Sequence, residues 1–135
     1  MNKTVNTIIG WSVFGISLLI YTLTLEPTVS FWDCGEFIAS SYKLQVGHPP
    51  GAPFFQIIQR IFSLLAPNNG AVAFMMNFFS AVVSAATIMF LYLTIVLLAQ
   101  RFSNEKTQSE KPILIYAAGI IGALTFAFTD TFWFS

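Results

Sequence analysis

Residues 71–100 read AVAFMMNFFSAVVSAATIMFLYLTIVLLAQ, a run of 30 positions without a charged side chain. A helix rises about 1.5 Å per residue and about 20 apolar residues span the hydrocarbon core of a bilayer, so this run predicts a membrane-crossing helix. Residues 4–25 and 112–129 are also free of charge, and together the runs predict three crossings at about 4–25, 71–100 and 112–130. Composition agrees: 56% of residues are hydrophobic, 9% are charged and mean hydropathy is +0.72, which excludes an ordinary water-soluble domain. Six Lys plus Arg balance six Asp plus Glu, so the basic surplus that nucleic-acid binding requires is missing. Cys34 is the single cysteine, which excludes an intrachain disulfide and a cysteine-rich zinc site and reads as a small buried residue.

The first run is too long for a signal peptide and has no small-x-small cleavage site before Glu26-Pro27, so it reads as a retained helix. Lys3 falls on the same side as Arg101, Lys106 and Lys111 if all three runs span, and the positive-inside rule makes that side cytoplasmic. Residues 26–70 are then a large external loop, with Trp11, Trp32 and Trp133 as anchors at helix ends.

Two short interfacial helices are expected inside that loop, at about 33–45 and 53–66. The second, beginning PFFQIIQRIFSLLA at Pro53, sets Gln56, Gln59, Arg60 and Ser63 on one stripe and Phe54, Ile57, Ile58, Ile61, Phe62 and Leu65 elsewhere. It is too short to span and should lie along the membrane surface. Pro53 suits a first helical turn, and Pro67-Asn68-Asn69-Gly70 supplies turn chemistry before the next crossing. In the second crossing Asn77, Ser80, Ser84, Thr87 and Thr94 fall at three- and four-residue spacing and predict a helix-packing face, as do Gly119 with Ala123 and Ala118 with Gly122 in the third.

The chemistry-bearing residues lie in the loop. FWDCGEF, residues 31–37, places Asp33 and Glu36 among aromatic side chains. Their three-residue spacing fits a capping box at the head of a helix, while desolvation at an apolar interface raises carboxylate pKa values toward those useful in proton transfer. Both readings stand at this level. His48, in GHPPGAP, is a turn residue with proton-carrying, phosphate-donating or ligand chemistry open to it, and one His with two acids is no metal signature. Arg60 has two readings, snorkelling to lipid headgroups or neutralising a lipid phosphate. Asp130, at the external end of the third crossing, reads as solvated.

The string EPTVSFWDCGEFIASSYKLQVGHPPGAPFFQIIQRIFSLL closely resembles the start of a membrane family long labelled as a domain of unknown function and now grouped with GT-C glycosyltransferases. Its eukaryotic relatives include a transmembrane protein O-mannosyltransferase. Two motifs carry the resemblance, D-x-G-E at Asp33 to Glu36 and H-P-P-G-x-P at His48 to Pro53, and their order and spacing together are more specific than either alone. The resemblance implies an all-α integral membrane protein whose residues 1–135 are a single membrane module, the N-terminal part of an inverting GT-C-type enzyme with further crossings after Ser135.

It also implies a polyprenyl-phosphate-linked sugar donor, an acceptor hydroxyl on a protein Ser or Thr, and transfer on the non-cytoplasmic face of a bacterial inner membrane or an endoplasmic reticulum. Asp33 matches the acidic residue that such enzymes place in the first external loop and would take the acceptor proton, with Glu36 orienting a substrate. His48, Pro49, Pro50, Gly51 and Arg60 are the expected substrate-binding residues. No metal ligand is assigned, and a divalent cation is left open because GT-C branches differ in using one. The rival reading is a non-enzymatic membrane assembly subunit or transporter fragment in which Asp33 and Glu36 only cap a helix.

Overall fold

A computed structural model describes residues 2–29, 33–49, 51–103 and 112–133, the side chains of Thr131 and Trp133 excepted. Among the described residues every regular element is helical: α1 (Lys3–Leu23), α2 (Cys34–Lys43), α3 (Pro53–Ser63), a 3₁₀ turn (Asn69–Ala71), α4 (Val72–Phe102), α5 (Pro112–Ala127) and α6 (Asp130–Trp133). The chain divides into two compact units, residues 1–21 with 83–135, and residues 22–82. The basic residues Lys106 and Lys111 and the indoles of Trp32 and Trp133, used above for orientation and anchoring, lie outside the description.

Among the described residues two helices, α1 and α4, are long and apolar enough to cross a membrane. The third run differs from its expectation. Helix α5 spans 16 residues, about 24 Å, and stops at Ala127 instead of continuing to residue 130. The cause is local: Thr129 turns its hydroxyl back onto the Phe126 carbonyl (2.9 Å), and the amides of Phe128 and Thr129 reach only three residues back, to Thr125 and Phe126. The chain restarts with Asp130 in the first turn of α6, where a carboxylate suits the positive end of the helix dipole.

In the first unit, Asn2 caps α1 by accepting from the Thr4 amide at 2.9 Å. Gly10, Val13, Ser17 and Tyr21 make the buried stripe of α1, and Ile115, Tyr116, Gly119, Ala123 and Ala127 that of α5, both at helical spacing. Tyr92 of α4 is fully buried between them, and its hydroxyl donates to the Asn6 side chain at 2.9 Å. The hydroxyls of Tyr116 and Tyr21 likewise donate to the carbonyls of Asn2 (3.1 Å) and Ala127 (2.9 Å), so each buried phenol is satisfied across a helix contact.

The expected polar packing face of α4 is corrected at two of its positions. Thr87 and Thr94 are exposed and spend their hydroxyls on their own helix, on the carbonyls of Val83 (3.0 Å) and Phe90 (2.8 Å). The buried positions are Met76, Phe79, Ala81, Ala85, Ile88, Tyr92 and Val96, since a hydroxyl bonded within its helix needs no partner on another. The glycine expectation holds for Gly119 and Ala123, which are buried, but not for Ala118, which is exposed.

In the second unit α2 ends where Leu44 adopts a left-handed conformation (φ 50°) and its amide returns to the Ser40 and Ser41 carbonyls. A short connection leads to α3, which begins on Pro53 as the sequence predicts and ends at Ser63, three residues early, as the Ser63 hydroxyl bonds the Arg60 carbonyl at 2.6 Å. Contacts between α2 and α3 advance in the same sense along both helices: the rings of Phe37 and Phe55 lie 6.1 Å apart, Gln56 donates to the Ser40 hydroxyl (2.9 Å), and Ser41 donates to Gln59 (2.6 Å). The polar stripe of α3 is therefore a buried face, with Gln56, Gln59 and Ser63 all below 8% exposure, while Phe54, Ile57 and Ile61 point outward.

A Cβ placed on Gly119 would come within 2.7 Å of Val96 Cγ2 and 2.9 Å of the Tyr92 ring, whereas one on Gly15 meets nothing within 4 Å. Gly119→Val should therefore cost about 1–3 kcal/mol in detergent unfolding of the chain, while Gly15→Ala should change stability by less than about 0.5 kcal/mol.

Candidate functional site

Asp33 takes the N-cap position of α2 with φ −75° and ψ −2°, and its side chain makes no capping hydrogen bond. Glu36 does not close a capping box either. Its Oε1 accepts from the His48 backbone amide at 2.8 Å and its Oε2 pairs with His48 Nδ1 at 2.9 Å. One carboxylate thus holds both the main chain and the ring of His48, bringing D-x-G-E and H-P-P-G together across the connection between α2 and α3. An edge contact with Phe37, 6.5 Å between centroids, further confines the imidazole.

The connection is shaped to allow this approach. A Cβ on Gly47 would lie 3.1 Å from Gln56 Nε2 and 3.5 Å from Glu36 Oε1, so the residue before His48 is small where the loop passes over the helices. The Gly51 amide donates to the His48 carbonyl at 2.9 Å, and Gly51 has φ +71°, a conformation that disfavours any residue with a Cβ. Glu36, Phe37, Ser40, Gly47, His48, Gly51 and Gln56 line a small cleft here. Pro49 is exposed in the turn, and Pro50 lies outside the described residues.

Arg60 stands apart from this cluster. Its guanidinium lies 4.7 Å over the Tyr42 ring and donates to Ser63 Oγ at 3.2 Å, at the C-terminal ends of α2 and α3. Cys34, half-buried, donates weakly to Asn77 Oδ1 at 3.7 Å. The Asn77 amide in turn donates to the carbonyls of Glu26 and Thr28, both at 2.9 Å, so this residue of the expected packing stripe ties the loop entrance and the head of α2 to α4. On the side of α2 away from α3, a more open groove of about 410 Å³ is lined by Val29, Gly35, Ile38, Ala39, Tyr42, Asn69, Val72 and Ala73.

Sequence reasoning did not single out Gly47, Ser40 or the clamp role of Asn77. Gly47 carried a legible signal, a glycine abutting the H-P-P-G turn; Ser40 and Asn77 carried none, because their roles depend on contacts 16 and 43 to 51 residues away. Among the described residues no three His, Cys, Asp or Glu side chains gather as a metal site.

The Glu36–His48 contact shifts both groups. Glu36 is held below the ordinary carboxylate range, first by the His48 backbone amide and then by its ring. His48 is raised above its ordinary value, first by the hydrogen bond its ring makes to Glu36, then by that residue's charge, with a smaller push from Asp33.

Comparison with known proteins agrees with the sequence resemblance. A family model described as the protein O-mannosyl-transferase TMEM260 N-terminal domain matches residues 33–135. The chain is 31% identical over 116 residues to protein O-mannosyl-transferase tmem260 of Dictyostelium discoideum, covering 85% of this chain and 12% of that protein. It is 30% identical over 122 residues to protein O-mannosyl-transferase TMEM260 of Mus musculus, covering 90% of this chain and 15% of that protein. No solved structure matches. All-helical among the described residues, with two helices there able to cross a membrane and a site joining its two motifs, the chain belongs to the TMEM260 N-terminal domain family. It spans a small fraction of the length of those relatives.

The pair gives a pH dependence whose sign is fixed. Glu36, with its pKa lowered, contributes stability above the ordinary carboxylate range that is lost as pH falls through its folded value; His48, with its pKa raised, contributes stability below its ordinary 6.5 that is lost as pH rises through its folded value. His48 is the only histidine, so its imidazole NMR resonance is unambiguous. It should titrate above 6.5 in the wild-type chain and move back toward that value in Glu36→Gln; an unmoved midpoint would show that the contact does not form in solution.

Proposed function

We propose that this chain is the N-terminal membrane module of a GT-C-type glycosyltransferase that moves a sugar from a polyprenyl-phosphate donor to a protein hydroxyl on the non-cytoplasmic face. Mannose is the sugar that the names of its relatives suggest. In this reading α1 and α4 cross the bilayer, residues at about 112–130 make a third crossing, and residues 26–70 lie outside. The observation that carries it is the joining of the two family motifs through Glu36 and His48, with the Asp33 carboxylate beside them free of hydrogen bonds among the described residues.

Asp33 is the general base. It takes the proton of the acceptor hydroxyl as that oxygen attacks the anomeric carbon; the bond to the lipid phosphate breaks, the phosphate leaves with the electron pair, and the anomeric centre inverts. Glu36 is a positioning residue rather than a second base, since both its oxygens are engaged by His48. His48 and Gly51 line the substrate cleft, and Arg60 supplies positive charge for the lipid phosphate.

The test uses the full-length parent, assayed for sugar transfer from a polyprenyl-phosphate donor. Asp33→Asn should lower the rate by about a hundredfold to ten-thousandfold, the usual contribution of a positioned base, with helix content unchanged. Full activity in a folded Asp33→Asn protein would remove the general-base role.

A further inference from the structure

We infer that α3 is embedded in the acyl-chain region of the bilayer by its apolar face, with α2 lying above it at the headgroup level as its polar cover. A surface helix normally turns its polar stripe to water and its apolar stripe to lipid. In α3 the polar stripe is already consumed: Gln56 and Gln59 are buried against Ser40 and Ser41 of α2, and Arg60 is drawn over Tyr42. A second stripe, Phe55 and Phe62, packs tilted against Phe79 of α4, with ring centroids 5.3 and 4.8 Å away. Successive residues turn by about 100°, which leaves a third face holding Phe54, Ile57, Ile61 and Leu64, each at least 55% exposed and uncharged.

Depth along α4 identifies what covers that face. Helix α4 has 31 residues, about 46 Å, against a hydrocarbon core of about 30 Å, so a centred helix leaves about 8 Å outside at each end. Phe79, seven residues beyond Val72 and about 10 Å along the helix, falls just inside the hydrocarbon. The α4 residues close to α2 come earlier: Val72 and Ala73 share its outer groove and Asn77 bonds Cys34. The order α2 then α3 along α4 is thus an order of increasing depth, and the exposed face of α3 continues the apolar surface of a membrane helix. The occupant is lipid acyl chain.

The experiment places nitroxides, one at a time, at Ile57, Ile61, Ala39 and Lys43 of the full chain in a Cys34→Ser background, reconstituted in phosphatidylcholine vesicles. Positions 57 and 61 should be relaxed by oxygen in preference to a water-soluble nickel chelate, with the reverse at 39 and 43, and the helices should differ in depth by about 8–10 Å, one helix-to-helix spacing. Nickel-accessible labels on α3, labels there shielded from both reagents as by a protein partner, or equal depths for the two helices would each overturn the inference. A measurement needing no substitution accompanies it: acyl-chain diazirine lipids should leave adducts on residues 54–65 of the unaltered chain and none on 36–43, and the opposite distribution would contradict it.

Discussion

Polar side chains between α2 and α3 have few places to go in an apolar setting. Ser40, Ser41, Gln56 and Gln59 are each more than 90% buried, and an unpaired amide or hydroxyl there would cost about 1–3 kcal/mol. They satisfy one another, and that mutual bonding fixes which face of α3 turns inward. The orientation has consequences in both directions along the chain. Gln56, pinned by Ser40, sits beside Gly47 and closes the cleft wall next to Glu36; the outward face of α3 is left wholly apolar.

The Glu36–His48 contact adds the second constraint. A connection between two helices has many conformations available to it, and a carboxylate that bonds both the amide and the ring of one residue removes most of them. Gly51 with its positive φ and Gly47 with its close neighbours are the positions where the backbone yields to that geometry. The result is a division of labour between two acids that the sequence presents as equivalents: Glu36 is committed to holding the turn, whereas the Asp33 carboxylate makes no hydrogen bond among the described residues.

Much of this was legible in residues 71–100 and their counterparts, because an uncharged run has few structural outcomes. The helix starts at Pro53 and Pro112 were legible too. What could not be read was decided by competition among bonds. The capping box at Asp33 and Glu36 is a local pattern, and it lost to a partner twelve residues away. Thr87 and Thr94 of the α4 stripe had the right spacing for packing but bond their own backbone, and Thr129 ends α5 by the same means. The amphipathic pattern of α3 was seen, but not that its polar side faces another helix, since that depends on Ser40 and Ser41 outside the window.

The central claim is that the two motifs form one site because Glu36 and His48 act as a unit. A double-mutant cycle with Glu36→Gln and His48→Asn, read as sugar transfer by the full-length parent, tests it most directly. The account predicts that the double variant is no worse than the more damaged single one, because either change alone already breaks the contact. Losses that simply add would contradict it and return D-x-G-E and H-P-P-G to being two separate features of one loop.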